Sequence, residues 1–188
     1  MIKLGIIGAM EQEVETLLAQ MENKTAETVA GSTFYEGRLS GLDVVVVQCG
    51  IGKVNAALCV QILCTKYGIT HAVNTGIAGS LCAQLDIGDL VVSKDAMYHD
   101  FDCVHFGYPH GKVPGMDVVS FPADEAMIGY AFSAAEAVNP GFINLRVREA
   151  FLAQYLNSLR ENEPVRKIGI YSISLMAIHI FLTMQLSI

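Results

Sequence analysis

The first 21 residues contain two different hydrophobic patterns. Residues 4–7 are continuously apolar, apart from one glycine, as in a strand that is covered on both faces, and Gly8 ends the run. From Met10 onward, apolar residues recur at steps of three and four, which predicts an amphipathic helix. These residues are Val14, Leu17, Leu18 and Met21. The sequence therefore predicts a strand, a glycine turn and a helix that begins at the strand's carboxyl end, where α/β proteins bind ligands.

Six further segments have the pattern of strands or helices. The predicted strands cover residues 31–39, 42–49, 71–75 and 87–93, and the predicted helices cover residues 54–67 and 123–137. The second of these strands is rich in β-branched residues, which favours an interior position in a sheet. Strands and helices that alternate, with glycines at the strand ends, are typical of a layered α/β fold.

Two glycine-rich stretches follow predicted strands, Gly50-Ile51-Gly52 and Gly76-Ile77-Ala78-Gly79. Their backbone N–H groups could approach an anion or a sugar oxygen. Neither stretch has the spacing of a P-loop or of a dinucleotide-binding GxGxxG motif. On spacing alone, both a ligand-binding turn and an ordinary tight turn between elements stay open.

Length and composition limit the class of protein. A chain of 188 residues with 52% apolar and 16% charged residues is expected to form one packed domain, residues 1–188. The net charge of −7, without a cluster of Lys or Arg, argues against a nucleic-acid surface. Five scattered cysteines without a CxxC pair indicate reduced thiols in a cytoplasmic protein.

Two segments raise the possibility of a metal or a membrane. The histidines and aspartates of residues 99–110 lack HxH or HxxxH spacing, which argues against a metal site and favours a loop that reaches a cleft or a partner subunit. Residues 168–188 contain no Asp, Glu, Lys or Arg and are long enough for a membrane anchor. Their serines, histidine, threonine and glutamine instead favour a strand over residues 168–173 with a helix over residues 175–184, or a poorly folded tail.

Five segments together resemble one family. They are GIIGAMEQEV (residues 5–14), GIGKVNAA (50–57), NTGIAG (74–79), GDLVVS (88–93) and YHDFDCVHFGY (98–108). In this order they resemble the bacterial 5′-methylthioadenosine/S-adenosylhomocysteine nucleosidases of the nucleoside phosphorylase superfamily. The resemblance covers residues 1–147 and implies a three-layer α/β/α fold around a central mixed sheet, with a divergent tail over residues 148–188 that leaves the fold incomplete at the C-terminus.

The resemblance also implies an activity. Members of this family hydrolyse the N-glycosidic bond of an adenine thionucleoside as homodimers, without a cofactor or metal. The carboxylate at the position of Glu13 orients and deprotonates the attacking water. Helical periodicity alone does not separate Glu13 from Glu11, because both border the apolar stripe; that choice rests on the resemblance.

Positions around the ribose and the base are implied in the same way. Met10 and the backbone of Ile51, Ala78 and Gly79 match them. Ile77 stands where many members have a serine, so a side-chain hydrogen bond is not expected there.

The remaining contacts come from two loops. Cys103 and Phe106 match the loop that a partner subunit lends to the alkylthio end of the site. Residues 153–158 resemble the adenine loop, in which Tyr155 would stack on the base and the backbone of Leu156 would read its edge. An ordinary amphipathic helix over residues 147–159 fits this segment equally well.

The tail departs from the family pattern. The family has a Met-Glu pair for the ribose hydroxyls and a Ser-Asp pair that supplies the acid to adenine N7, and neither occurs in residues 148–188. We therefore expect impaired turnover, or a catalytically inactive module that binds an adenine nucleoside or dimerises. A shifted reading frame or a truncation near Arg148 would account for the tail. A phosphorylase is disfavoured, because no arginine for phosphate lies on the first glycine turn.

Overall fold

The computed structural model describes residues 2–80, 89–138, 146–147 and 167–177. The chain divides into two compact units. The first comprises Met1–Gly76 with Leu175–Ile188, and the second comprises Ile77–Ser174.

The first unit is built on a mixed sheet. Its strands are β1 (Lys3–Gly8), β2 (Glu22–Val29), β3 (Ser32–Leu39), β4 (Leu42–Gln48) and the first six residues of β5 (His71–Ser80), whose remaining residues belong to the second unit. Its helices are α1 (Glu11–Gln20) and α2 (Lys53–Thr65). The strand order is β2-β3-β4-β1-β5. β1 pairs in parallel with β4 and β5, whereas β2, β3 and β4 form an antiparallel meander.

Both faces of this sheet are covered, which explains the continuous apolar run in β4. Val45 and Val47 pack with residues of α2 such as Leu63 in one buried cluster. Val44 and Val46 face the other way and pack with Val14 of α1. The four valines are fully buried, so helix, sheet and helix form the three layers that the family resemblance implies.

The second unit contains several strands and one long helix. These elements are β6 (Leu90–Ser93), β7 (Asp95–Met97), β8 (Ser120–Pro122), α3 (Glu125–Val138), β9 (Arg146–Val147) and β10 (Lys167–Ala177), of which Leu175–Ala177 belong to the first unit. β6 pairs in parallel with β9 and β10, and β7 pairs with β8 in a separate antiparallel ribbon. Asp124 caps the start of α3, because its Oδ1 accepts a hydrogen bond of 2.9 Å from the backbone N–H of Met127.

Two elements differ from the sequence prediction in the first unit. β2 was not predicted, because its polar sequence ENKTAETV does not alternate; the strand forms by pairing with β3 and is mostly exposed. The sequence predicts a glycine turn at residues 76–79, but these residues lie within β5, which continues to Ser80. The predictions for α1, α2, β3 and β4 are confirmed to within two residues at either end.

The tail is partly described. The predicted strand over residues 168–173 is confirmed. β10 continues to Ala177, so the prediction that a helix begins at residue 175 is wrong. In the part of the chain that the structure describes, no helix has the length and apolar character needed to cross a membrane. The helix alternative for residues 147–159 falls outside the described residues, apart from Val147 in β9.

Candidate active site

Glu13 is the third residue of α1, and its carboxylate turns back toward the start of the helix. Oε2 accepts a hydrogen bond of 2.9 Å from the backbone N–H of Met10, the N-cap residue. This is the second half of a capping box, in which an N3 carboxylate satisfies a backbone donor at the positive end of the helix. Glu13 is half-buried, and its helix is anchored by the neighbouring Val14, which is 1% exposed.

Two glycines border the Glu13 side chain. A Cβ on Gly76 of β5 would overlap Oε1 of Glu13 and would lie 2.7 Å from its Cδ. A Cβ on Gly8, at the end of β1, would lie 3.0 Å from the Cβ of Glu13 and 2.7 Å from Cγ1 of Val14. The carboxylate therefore lies against the carboxyl end of β1 and against β5 just beyond Asn74, the last residue of β5 that pairs with β1. The carboxyl end of a parallel strand is the usual ligand-binding edge of such a sheet.

The structure distinguishes Glu13 from Glu11, which the sequence pattern leaves equivalent. Glu11 is exposed and borders an open groove of about 670 Å³ on the first unit, of which Glu13 is not a lining residue. The groove has polar and charged lining residues from α1, β2, β3 and the end of β4, including Glu15, Lys24, Ser32, Thr33 and Gln48. The two carboxylates thus have different surroundings although they are two residues apart.

The stretch Gly50-Ile51-Gly52 is a tight turn between β4 and α2. Both glycines have left-handed backbones, with φ of +80° at Gly50 and +106° at Gly52. Asn55 in the first turn of α2 closes the turn, because its Nδ2 donates a hydrogen bond of 2.8 Å to the carbonyl of Ile51. The side chain of Ile51 is 76% exposed.

Cys49 is a neighbour of Glu13 that the sequence analysis did not single out. Its backbone N–H donates to the carbonyl of Gly8 at 2.8 Å, and its thiol donates to the carbonyl of Gly50 at 3.3 Å. Burial, with smaller contributions from Cys59 and the charge of Glu13, raises the pKa of the Cys49 thiol. The sequence signal that points to Cys49 is its position as the last residue of the predicted strand over residues 42–49, immediately before the glycine-rich turn.

The other candidate residues that are described lie in the second unit. Ala78 is half-buried in β5, and Gly79 follows it in the same strand. Cys103 precedes a single 3₁₀ turn, Val104–Phe106, and its carbonyl accepts a hydrogen bond of 2.9 Å from the N–H of Phe106. The Phe106 ring is 81% exposed. Tyr155 and Leu156 lie outside the described residues.

The histidine-containing loop has an internal structural contact. Nε2 of His110 lies 2.7 Å from the carbonyl oxygen of His99, so this ring closes the loop on itself. Within residues 2–80 and 89–138, with the described pieces of the tail, no three His, Cys, Asp or Glu side chains are grouped as metal ligands.

Comparison with known proteins identifies the class. A family model described as "Phosphorylase superfamily" matches residues 3–155. Because this match covers most of the chain, the chain belongs to the phosphorylase superfamily.

Within that superfamily, the similarity is to 5′-methylthioadenosine/S-adenosylhomocysteine nucleosidases. The enzyme of Anoxybacillus flavithermus is 43% identical over 134 residues, which are 71% of this chain and 57% of the relative. The enzyme of Chromohalobacter salexigens is 43% identical over 152 residues, 81% of this chain and 63% of the relative. The chain thus spans about three-fifths of the length of these curated relatives.

A solved structure supports the same fold. The nucleosidase of Colwellia psychrerythraea in complex with adenine has a TM-score of 0.73 and 32% identity, and the match covers 94% of this chain and 83% of that chain. The predicted nucleoside phosphorylase-like α/β fold with a mixed sheet is therefore confirmed.

Proposed function

We propose that this chain hydrolyses the N-glycosidic bond of 5′-methylthioadenosine and S-adenosylhomocysteine and releases adenine, a step of methionine salvage. The observation that carries the proposal is the Glu13 carboxylate, held by the Met10 N–H at the ligand-binding edge of the sheet. Two relatives named for this activity are 43% identical to the chain. No cofactor is needed for the reaction proposed here.

The reaction needs charge stabilisation at both ends of the bond that breaks. Positive charge develops on the ribose and negative charge on the adenine, so catalysis requires groups aimed at both. Glu13 is proposed to orient the attacking water and to accept its proton, as a general base within hydrogen-bond reach. Met10 and the backbones of Ile51, Ala78 and Gly79 are proposed to contact the ribose and the base.

The leaving-group side is where this chain departs from its family. Residues 148–188 contain neither a Met-Glu nor a Ser-Asp pair, so this chain has no assigned acid for adenine N7. A general acid contributes about 10²–10⁴-fold, and we accordingly propose turnover at least about 10²-fold below that of a complete family member. Tyr155 and Leu156 are the proposed contacts to the adenine ring and its edge.

A homodimer is proposed for the alkylthio end of the site. Phe106 and Val104 expose their apolar side chains on one short turn, and Val54 and Leu58 form an exposed apolar stripe on α2. Exposed groups of this kind mark interaction surfaces. In the proposed dimer, Cys103 and Phe106 of one copy contact the methylthio group of the substrate bound by the other copy. We propose that this dimer is a cytoplasmic protein.

The departure of the tail favours a second function, an inactive module that binds an adenine nucleoside or dimerises. To distinguish the two, purified protein is incubated with methylthioadenosine and adenine is measured, beside an intact family member. Adenine release that depends on Glu13 and not on phosphate supports the hydrolase. A binding isotherm without product supports the module, and the absence of both rejects the two functions.

A further inference from the structure

We propose that Gly76 is a positioning residue for the Glu13 carboxylate. Because Gly76 has no side chain, it leaves the space that this carboxylate occupies against β5. The inference rests on the proposed function, since it assigns Gly76 a role in placing the general base.

The space beside Gly76 is taken up by one functional group. The three atoms nearest to a Cβ built on Gly76 all belong to the Glu13 carboxylate, namely Oε1, Cδ at 2.7 Å and Oε2 at 3.1 Å. Gly8 also borders Glu13, but a Cβ there would first meet Cγ1 of Val14 and would lie 3.5 Å from Oε2 of Glu13. Gly5 would meet the core side chains of Ile69 and Leu63, and Gly37 would meet the backbone carbonyl of Glu22.

Backbone conformation does not explain the glycine. The glycines of the first unit with left-handed φ include Gly50 and Gly52, and Gly76 is not one of them. Gly76 lies within strand β5, and its φ is outside the left-handed range that favours glycine. An alanine would therefore fit the backbone at this position, and its cost would come from the contact with the carboxylate.

The carboxylate has little freedom to avoid a methyl group at this position. Its Oε2 is bound to the Met10 N–H at 2.9 Å, and the next residue, Val14, is packed in the core. An added methyl would thus rotate the carboxylate away from β5 or lengthen its bond to Met10. A displacement of about 1 Å of a catalytic group can cost about 10²-fold in rate.

The kinetic test uses a matched pair of glycine substitutions. For Gly76→Ala we expect kcat for adenine release to fall by about 10- to 100-fold, with KM changed less than about threefold, because the base moves while the binding contacts remain. Gly129→Ala, in α3 with open space around it, is expected to leave both constants unchanged. Unchanged kcat in Gly76→Ala overturns the proposal.

A shorter carboxylate provides the rescue experiment. Glu13→Asp withdraws the carboxylate from Gly76 by one methylene, so adding Gly76→Ala to this variant is expected to lower kcat less than threefold further. An equal loss in both backgrounds means that Gly76 acts independently of the carboxylate, which contradicts the proposal.

An unfolding measurement separates this inference from the proposed function. Gly76→Ala is expected to lower the urea midpoint, or to prevent folding, in the parent chain, and to have a much smaller effect in a Glu13→Ala background. If Gly76→Ala lowers the urea midpoint equally in both backgrounds, or prevents folding in both, the proposed contact between Gly76 and the Glu13 carboxylate is contradicted. This conclusion holds whether or not the parent chain releases adenine. Absence of adenine release from the parent rejects the proposed function alone.

Discussion

The backbone N–H of Met10 and the carboxylate of Glu13 are joined by a hydrogen bond of 2.9 Å across the first turn of α1. The bond gives one residue two roles, since the same carboxylate completes the N-terminal cap of the helix and lies against the end of β1 and against Gly76 of β5. Capping therefore fixes the direction in which the proposed base points.

The first prediction concerns the identity of the base. Glu13→Gln keeps an oxygen that can accept the Met10 N–H, so the fold should be retained, but the neutral amide cannot take a proton from water. We expect adenine release to fall by at least about 10²-fold. Glu11→Gln, an exposed carboxylate on the same turn, is the control and should change the rate less than twofold. Equal effects of the two substitutions would falsify the assignment of Glu13.

The second prediction concerns the exposed ring of Phe106. If a partner copy presents this ring to the methylthio group, Phe106→Ala should raise KM for methylthioadenosine by about tenfold to a hundredfold, because burying such a ring contributes about 1.5–3 kcal/mol. KM for adenosine, which lacks the alkylthio group, should change much less. Tyr130→Ala, at another exposed aromatic residue, is the control; the same KM shift in that variant would remove the special role of Phe106.

The third prediction concerns the core of the first unit. Phe34 is 1% exposed and stacks on Tyr67 with ring centroids 5.3 Å apart. Phe34→Ala should lower the free energy of unfolding by about 3–5 kcal/mol through lost burial and a residual cavity. The same substitution at the exposed Phe106 should change it by less than about 0.5 kcal/mol. Urea unfolding followed by circular dichroism measures both, and similar losses at the two positions would contradict the described packing.

The fourth prediction concerns alkaline pH. Burial raises the pKa of the Cys49 and Cys64 thiols in the folded chain. Between the usual thiol pKa of about 8.5 and the raised value, the folded state binds more protons than the unfolded state, so the free energy of unfolding falls as pH rises. This contribution is fully present below about pH 8.5.

Urea unfolding between about pH 7.5 and 10.5 measures that slope. In a Cys49→Ala, Cys64→Ala double variant the decline should be shallower. Burial also raises the pKa of Tyr67. Part of the decline in the free energy of unfolding at the upper end of this pH range therefore remains in the double variant. A decline of the same steepness in the double variant would show that the thiols do not cause it.

The elements that a local pattern determines were predictable from the sequence. The apolar run in β4 and the three-to-four spacing of α1 identify a covered strand and a helix with one buried face, and both are observed. β2 was missed because its formation depends on pairing with β3 and not on its own polar sequence. β5 was cut short at Thr75 because Gly76 and Gly79 indicate a turn, whereas pairing in the sheet keeps the strand extended.

The candidate site was predictable only in part. The acidic start of α1 was visible, but the contact of Glu13 with Gly76 joins positions 63 residues apart and requires β1 and β5 to be neighbours. Cys49 reaches the same place through its hydrogen bond to Gly8, another contact between distant parts of the chain. No local spacing rule encodes such contacts, because they follow from strand order.

The polar edge strand β2 limits how copies of this chain can meet. β2 is the outer strand of the described sheet order, carries Glu22, Lys24 and Glu27, and has an irregular register between Glu22 and Thr25. Charges and irregular register discourage another chain from adding a strand there. Association that extends the sheet from one copy into the next is therefore opposed at this edge, and self-assembly into fibres by that route is suppressed.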